Sequence, residues 1–259
     1  MGYAKVIKYG RNIEIYQYEN ESVPPTRKSR QLSSARRSQS VALRRENEVE
    51  QKKLLEGKRK SSGRRAQVAF RRLVSANLGE FEKPIFVSLT YATHTEDIGQ
   101  GRKDFNSFAR ALKNTYGKHV RYIAVSEFQK SGRLHLHALV WGLPPGVVKS
   151  ERSTRMVASL WKQGFVDLIQ TDGHEKIAGY MAKYMKKAFK DPRLFGYKAY
   201  IASRNCKRPI VEKRAIVIAT VYEHDLSTVE PLQDIKYLTQ WLGECRHRLY
   251  EIKYDNEQN

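Results

Sequence analysis

The sequence predicts an α+β fold: a central antiparallel sheet with flanking helices, preceded by a basic N-terminal arm that is helical or disordered. Three observations predict it. Between residues 84 and 190 the apolar pattern runs strand, helix, strand, strand, helix, strand, helix. Two of those strands, "RYIAVSEF" and "RLHLHALVWG", are separated only by "QKSG", so they read as a hairpin. Residues 27–72 hold sixteen Lys/Arg against four Glu and few core-grade side chains, the composition of an arm rather than of a packed domain.

The elements follow in order. Residues 1–20 alternate loosely, with Ile13, Ile15, Tyr16 and Tyr18 after "YGRN", and suggest short strands forming a hairpin. Residues 21–72 form the basic arm, helical in parts. It reads equally as a solvated segment or as a nucleic-acid clamp that orders on binding. Residues 73–259 are drawn as the main domain with a C-terminal extension. Its first helix, "AQVAFRRLVSANLG", begins within the arm and ends at Gly79. "PIFVSLTY" is a buried strand. "GRKDFNSFARALKNTYG" places Phe105, Phe108, Ala109 and Leu112 at helical spacing. After the hairpin come a helix ("SERSTRMVASLWKQG"), a strand ("FVDLIQ") and a helix ("HEKIAGYMAKYMKKAFK") stopped before Pro192. "KAYIAS" and "KRAIVIATVYE" are strand candidates. "DIKYLTQWLGECRHRLYEI" reads as a C-terminal helix broken or capped at Gly243.

Composition narrows the partner. The 259 residues carry a formal net charge of +21, with 48 Lys plus Arg against 27 Asp plus Glu. An excess of this size favours a polyanion through counterion release. No apolar run approaches the roughly 18 residues of a membrane span, and the arginines do not lie on an amphipathic helix with a clear apolar face. Nucleic acid is therefore the expected partner. The N-terminus has no signal-type apolar core, and Cys206 and Cys245 lack metal-type spacing. The expectation is a cytoplasmic protein with reduced thiols.

His135 and His137 stand one residue apart in the second hairpin strand, so they share a face. A three-residue turn, Lys130-Ser131-Gly132, with Gly132 left-handed, pairs Gln129 with Arg133. It then opposes Glu127 to His135 and Val125 to His137. One surface would carry a carboxylate and two imidazoles among Ile123, Val125 and Leu139. That donor set leaves open positions on a divalent ion, as a catalytic metal needs. The plain alternative is a pair of histidines hydrogen-bonded within a core.

Tyr180 and Tyr184 lie four residues apart on the following helix, about 6 Å along its axis. Lys183 and Lys187 each follow a tyrosine by three residues. A phenol is a poor nucleophile at its ordinary pKa of about 10, but lysines and a polarised phosphate would offset that. Here the plain alternative is a core stripe of Ile177, Tyr180, Met181, Tyr184, Met185 and Ala188.

Together these residues resemble the HUH endonucleases, the initiators of rolling-circle replication in plasmids and single-stranded DNA viruses. "FVSLTY" (86–91) is similar to that family's first motif, and "HLH" to its His-hydrophobe-His motif, with Glu127 one strand earlier as third ligand. "YMAKYMKK" is similar to its tyrosine helix. The paired tyrosines resemble the two-tyrosine initiators of small phages and related plasmids. The resemblance implies a Mg²⁺ or Mn²⁺ ion on Glu127, His135 and His137. It also implies nucleophilic Tyr180 and Tyr184, assisted by Lys183 and Lys187, and site-specific nicking and joining of single-stranded DNA through a 5′-phosphotyrosine. Its implied partners are origin DNA and the host polymerase and helicase. "GKRKSSGRR" does not fit G-x4-G-K-[ST], so no ATPase or helicase is expected. A relaxase or single-strand transposase of the same chemistry, and a non-catalytic nucleic-acid-binding protein, remain open. Tyr91 and Trp141 read first as core or rim aromatics, with stacking on bases as the alternative.

Overall fold

The computed structural model describes residues 3–20, 48–79, 82–144, 146–148, 150–173, 176–188, 191–215, 222, 225–239 and 242–252. The elements are β1 (Tyr3–Tyr9), β2 (Asn12–Tyr18), α1 (Glu48–Ser75), β3 (Ile85–Tyr91), α2 (Ile98–Tyr116), β4 (Arg121–Phe128) and β5 (Leu134–Trp141). They continue with α3 (Glu151–Trp161), β6 (Gly164–Gln170), α4 (Lys176–Ala188), β7 (Ile201–Ala202), β8 (Ile210–Ala215), β9 (Gln233–Thr239) and β10 (Gly243–Glu251). The chain divides into two units: residues 1–62 with 209–259, and residues 63–208. The α+β class holds, with two antiparallel five-stranded sheets. No described helix is long and apolar enough to cross a membrane.

The unit of residues 63–208 is built on the sheet β6-β3-β5-β4-β7. Both faces of its centre are covered. Leu134, Leu136, Ala138 and Val140 of β5 join the core with Phe105, Phe108 and Leu112 of α2 and Val157 and Trp161 of α3. Leu139 and Trp141, on the opposite face, pack with Phe70, Leu73 and Val74 of α1 and with Ala178, Met181 and Met185 of α4. This is why β5 reads as a near-continuous apolar run rather than an alternating one. Asp97 caps α2 by accepting from the backbone N–H of Gly99 (2.7 Å) and Gln100 (3.1 Å), so the helix begins ahead of "GRKDF". α1 ends at Ser75 rather than Gly79. The Asn77 amide donates to the Leu73 carbonyl at 2.8 Å and closes the last turn. α3 stops at Trp161, where Lys162 adopts a left-handed conformation.

The other unit holds the sheet β8-β1-β2-β10-β9. The hairpin expected in residues 1–20 is present, paired from Tyr3↔Tyr18 to Tyr9↔Asn12. The boundaries drawn from sequence leave 209–259 with the main domain. Of the strands in 209–259, β8 instead pairs with β1 and β10 with β2 (Ile7↔Val211, Tyr16↔His247), and β9 pairs with β10.

The expected C-terminal helix is overturned: "DIKYLTQWLGECRHRLYEI" forms the hairpin β9–β10. In β10 Cys245, Arg248 and Tyr250 are buried while Glu244 and Arg246 are exposed, so the buried positions do not keep a helix's spacing of three to four residues. Gly243, left-handed at φ 69, turns the chain instead of capping a helix. "KAYIAS" shortens to the two residues of β7, and β8 starts at Ile210, ahead of "KRAIVIATVYE". Of the basic arm, residues 21–47 lie outside the described residues. From Glu48 it is helical, with Lys58, Lys60, Arg64, Arg65 and Arg71 exposed.

Candidate active site

The β4–β5 hairpin adopts the expected register. Gln129 N–H donates to the Arg133 carbonyl at 2.9 Å, and Gly132, at φ 84, supplies the left-handed residue of the turn. Glu127 therefore opposes His135, and Val125 opposes His137. Directly opposed residues share a face, so Glu127, His135 and His137 lie together on the α4 side of the sheet.

The hydrogen bonds tie them to one another and to α4. The His137 imidazole meets the Glu127 carboxylate, Nε2 to Oε2, at 3.1 Å. Lys187 donates from Nζ to the other oxygen, Oε1, at 2.6 Å. Burial pushes the Glu127 carboxyl upward. The hydrogen bonds from His137 and Lys187 outweigh it, and the group sits below its ordinary range. His135 is held below the usual imidazole value, first by burial and then by repulsion from His137.

Both tyrosines of α4 reach this cluster. The Tyr184 ring stacks on His137 with centroids 4.0 Å apart, and the Tyr180 and Tyr184 hydroxyls are hydrogen-bonded at 2.7 Å. The buried stripe of α4 is Ala178, Met181, Ala182, Met185 and Ala188. Tyr184 lies at its edge and Tyr180 is 41% exposed, so the tyrosines form a rim rather than the core stripe. Burial and the Tyr180 hydroxyl raise the Tyr184 phenol well above its ordinary pKa. Its phenolate needs added positive charge nearby. Lys183 and Lys187 stand over the rings of Tyr180 and Tyr184, at 5.8 and 5.7 Å from the centroids. An open cleft of about 510 Å³ is lined by Glu127, Gln129, Lys130, Ser131, His137, Tyr184 and Lys187.

Three residues were missed by sequence reasoning, and all come from β3. Phe86, Ser88 and Thr90 are its alternate positions, set against Leu139, His137 and His135 of β5. Ser88 Oγ is 3.2 Å from His137 Nδ1, and Thr90 Oγ1 is 3.5 Å from His135 Nδ1. The Phe86 ring packs beside His137, Tyr180 and Tyr184 at 5.5–6.3 Å. In "FVSLTY" the aliphatic hydroxyls of Ser88 and Thr90 sit two residues apart and so share a face, but only the ladder to β5 shows that this is the histidine face. For Trp141 and Tyr91 the core role holds: both are buried, Trp141 fully. Their large rings fill the core.

The donor chemistry fits a hard or borderline divalent cation. Among the described residues, no three His, Cys, Asp or Glu side chains already converge as a cation cage. The carboxylate is instead neutralised by Lys187. Nε2 of His135, however, is buried with no hydrogen-bond partner. An orphan nitrogen of this kind costs about 1–3 kcal/mol, and a bound cation beside Glu127 would satisfy it. The Ser88 hydroxyl can accept from Nδ1–H of His137, which would leave that ring's Nε2 lone pair for a metal; at His135 both Thr90 Oγ1 and the Gln129 amide nitrogen, at 3.3 Å, meet Nδ1.

Residues 84–189 match the family model of the replication-associated protein ORF2/G2P. The matched segment runs from the start of β3 through α4 and contains every residue of the site. It is consistent with a rolling-circle replication initiator. No curated protein and no solved structure matches the chain.

Proposed function

We propose that the protein is an initiator of rolling-circle replication that nicks and rejoins single-stranded DNA through a tyrosyl phosphodiester. The observation that carries the reading is the stacking of Tyr184 on His137, with Tyr180 hydrogen-bonded to Tyr184. It brings two nucleophiles of one helix to the imidazole–carboxylate pair of another element. A non-catalytic binding protein has no use for that meeting. Relaxase or transposase chemistry would use the same residues, and the substrate DNA separates those alternatives.

Glu127, His135 and His137 would hold a Mg²⁺ or Mn²⁺ ion, which supplies Lewis-acid polarisation of a phosphate oxygen. The remaining work falls to the chain. A tyrosine Oη forms a bond to the scissile phosphorus and loses its proton, and the bond to the 3′ oxygen breaks. The 3′ oxygen takes up a proton and leaves as the free hydroxyl that primes synthesis. The DNA stays attached as a 5′-phosphotyrosine. Lys183 and Lys187 balance charge that builds on the phosphate and the phenolate. The second tyrosine cleaves the regenerated site. The 3′-hydroxyl freed by that second cut then attacks the first phosphotyrosine, releasing a circle and restoring the first phenol. Each step exchanges one phosphodiester for another, so no nucleotide triphosphate is consumed.

The test is a denaturant-resistant protein–DNA adduct. The protein is incubated with single-stranded origin oligonucleotides and Mn²⁺, alongside Tyr180→Phe, Tyr184→Phe, the double variant and His137→Ala. The expected result is an adduct with wild type and none with the double variant or His137→Ala. Adduct formation by the double Tyr→Phe variant would overturn the mechanism.

A further inference from the structure

We infer that the β6 edge of the site face is a base-stacking platform for the single strand entering the cleft, with Phe165 as its main contact. The inference rests on the nuclease reading above and names how that site takes its substrate. Along β6, Val166 and Leu168 turn into the core beneath α2 and α3. The alternate residues Phe165, Asp167 and Ile169 therefore point to the face that carries the histidines. The ladder fixes their neighbours. Phe165 stands beside Thr90, which stands beside His135, and Ile169 stands beside Phe86 and then Leu139. Two strand spacings place Phe165 roughly 10 Å from His135.

Phe165 is 70% exposed and Ile169 50% exposed. The core that α4 and the end of α1 build on this face includes Phe86, Ile123, Val125 and Leu139 and no described side chain of β6. Two large apolar groups, on either side of Asp167, are thus left open at the border of the site, where they are available to a ligand. The chain's charge of +21 selects a polyanion, and an open aromatic ring selects one with accessible base faces. Paired bases in a duplex have no free face to offer, so the occupant is single-stranded DNA. Asp167, exposed between the two apolar residues, repels phosphates and accepts hydrogen bonds from base amino groups. Bases would lie against β6 with phosphates outward.

The experiment reads binding without chemistry. The full chain in a Tyr180→Phe/Tyr184→Phe background is titrated, with EDTA and at fixed salt, into a labelled mixed-sequence single-stranded oligonucleotide and into its duplex. Phe165→Ala is expected to weaken single-strand binding about tenfold, leave duplex binding unchanged, and be rescued by Phe165→Trp. Sedimentation and a thermal melt should match those of the parent, because the ring is outside the core. Unchanged single-strand affinity, or an equal loss on duplex, overturns the platform. So does a change of oligomeric state with DNA binding intact, which would assign β6 to a second copy of the chain. Because binding here needs no tyrosine hydroxyl, a missing adduct in the nicking assay overturns the nuclease reading while leaving this result standing.

Discussion

Replacing Ser88 by Ala should loosen the candidate metal site without unfolding the domain. The hydroxyl lies 3.2 Å from His137 Nδ1, while Nε2 of the same ring faces Glu127 at 3.1 Å. Ser88 can thus set which nitrogen carries the proton. If it accepts from Nδ1–H, Nε2 is free to bind a cation; without it, Nε2–H stays bonded to Glu127. Losing such an orienting partner typically costs ten- to a hundredfold in metal affinity, or about 1.4–2.8 kcal/mol. An unpaired buried nitrogen costs about 1–3 kcal/mol of folding stability, which the metal-free protein would show on its own. The assay is calorimetric titration of Mn²⁺ into wild type, Ser88→Ala and His137→Ala, with a urea melt of each metal-free protein. Ser88→Ala should bind about ten- to a hundredfold more weakly. Wild-type affinity in Ser88→Ala, with binding lost in His137→Ala, would refute the orienting role. Equal affinity in all three would refute the metal site itself.

Other expectations concern the scaffold. Leu136→Ala opens a cavity in the core between β5 and α2, where Leu136 is fully buried; urea midpoints should register a loss of about 2–5 kcal/mol. Gly132→Ala places a Cβ at φ 84 and 2.7 Å from Glu96 Oε1, so its melting temperature should drop, with a loss of about 1 kcal/mol or more. Asp191 is held below its ordinary pKa, chiefly by the hydrogen bond from Arg193. A carboxyl depressed by folding adds stability above its unfolded value, about 3.9, and that stability is lost as pH falls through the folded value. Arg193→Gln should flatten this acid limb in melts run across that window. An unchanged limb would mean the pair contributes nothing to it.

What the sequence disclosed follows the range of the interactions. The β4–β5 register was legible because a turn of three residues and one left-handed glycine determine it, and Glu127 was found opposite His135 for that reason. The helical spacing of Tyr180 and Tyr184 was legible, but the side of α4 that would be buried was not. That depends on what α4 packs against, and Ala178, Met181 and Met185 won the core. The β9–β10 hairpin was misread because Leu238, Leu242, Cys245 and Leu249 recur at three to four residues and imitate a helix. The strand partner that settles the matter, β2, lies more than two hundred residues away. Ser88 and Thr90 were overlooked because a hydroxyl in a strand carries no signal until its neighbour across the ladder is known.

The pairing of β2 with β10 has a consequence for biosynthesis. β1 and β2 leave the ribosome before the other described elements, yet their sheet is completed only by β8, β9 and β10, which emerge after the rest of them. A lone two-stranded ribbon is marginal in water, and closing so long a loop carries an entropic cost that local contacts do not. The segment from 63 to 208 holds its own sheet and both of its cores, so it has what it needs to assemble during translation. A nascent chain truncated after β7 would carry the histidines and tyrosines together while its N-terminal hairpin still waited for partners. Pulse-labelled proteolysis of stalled chains would then find the middle of the protein protected before its beginning.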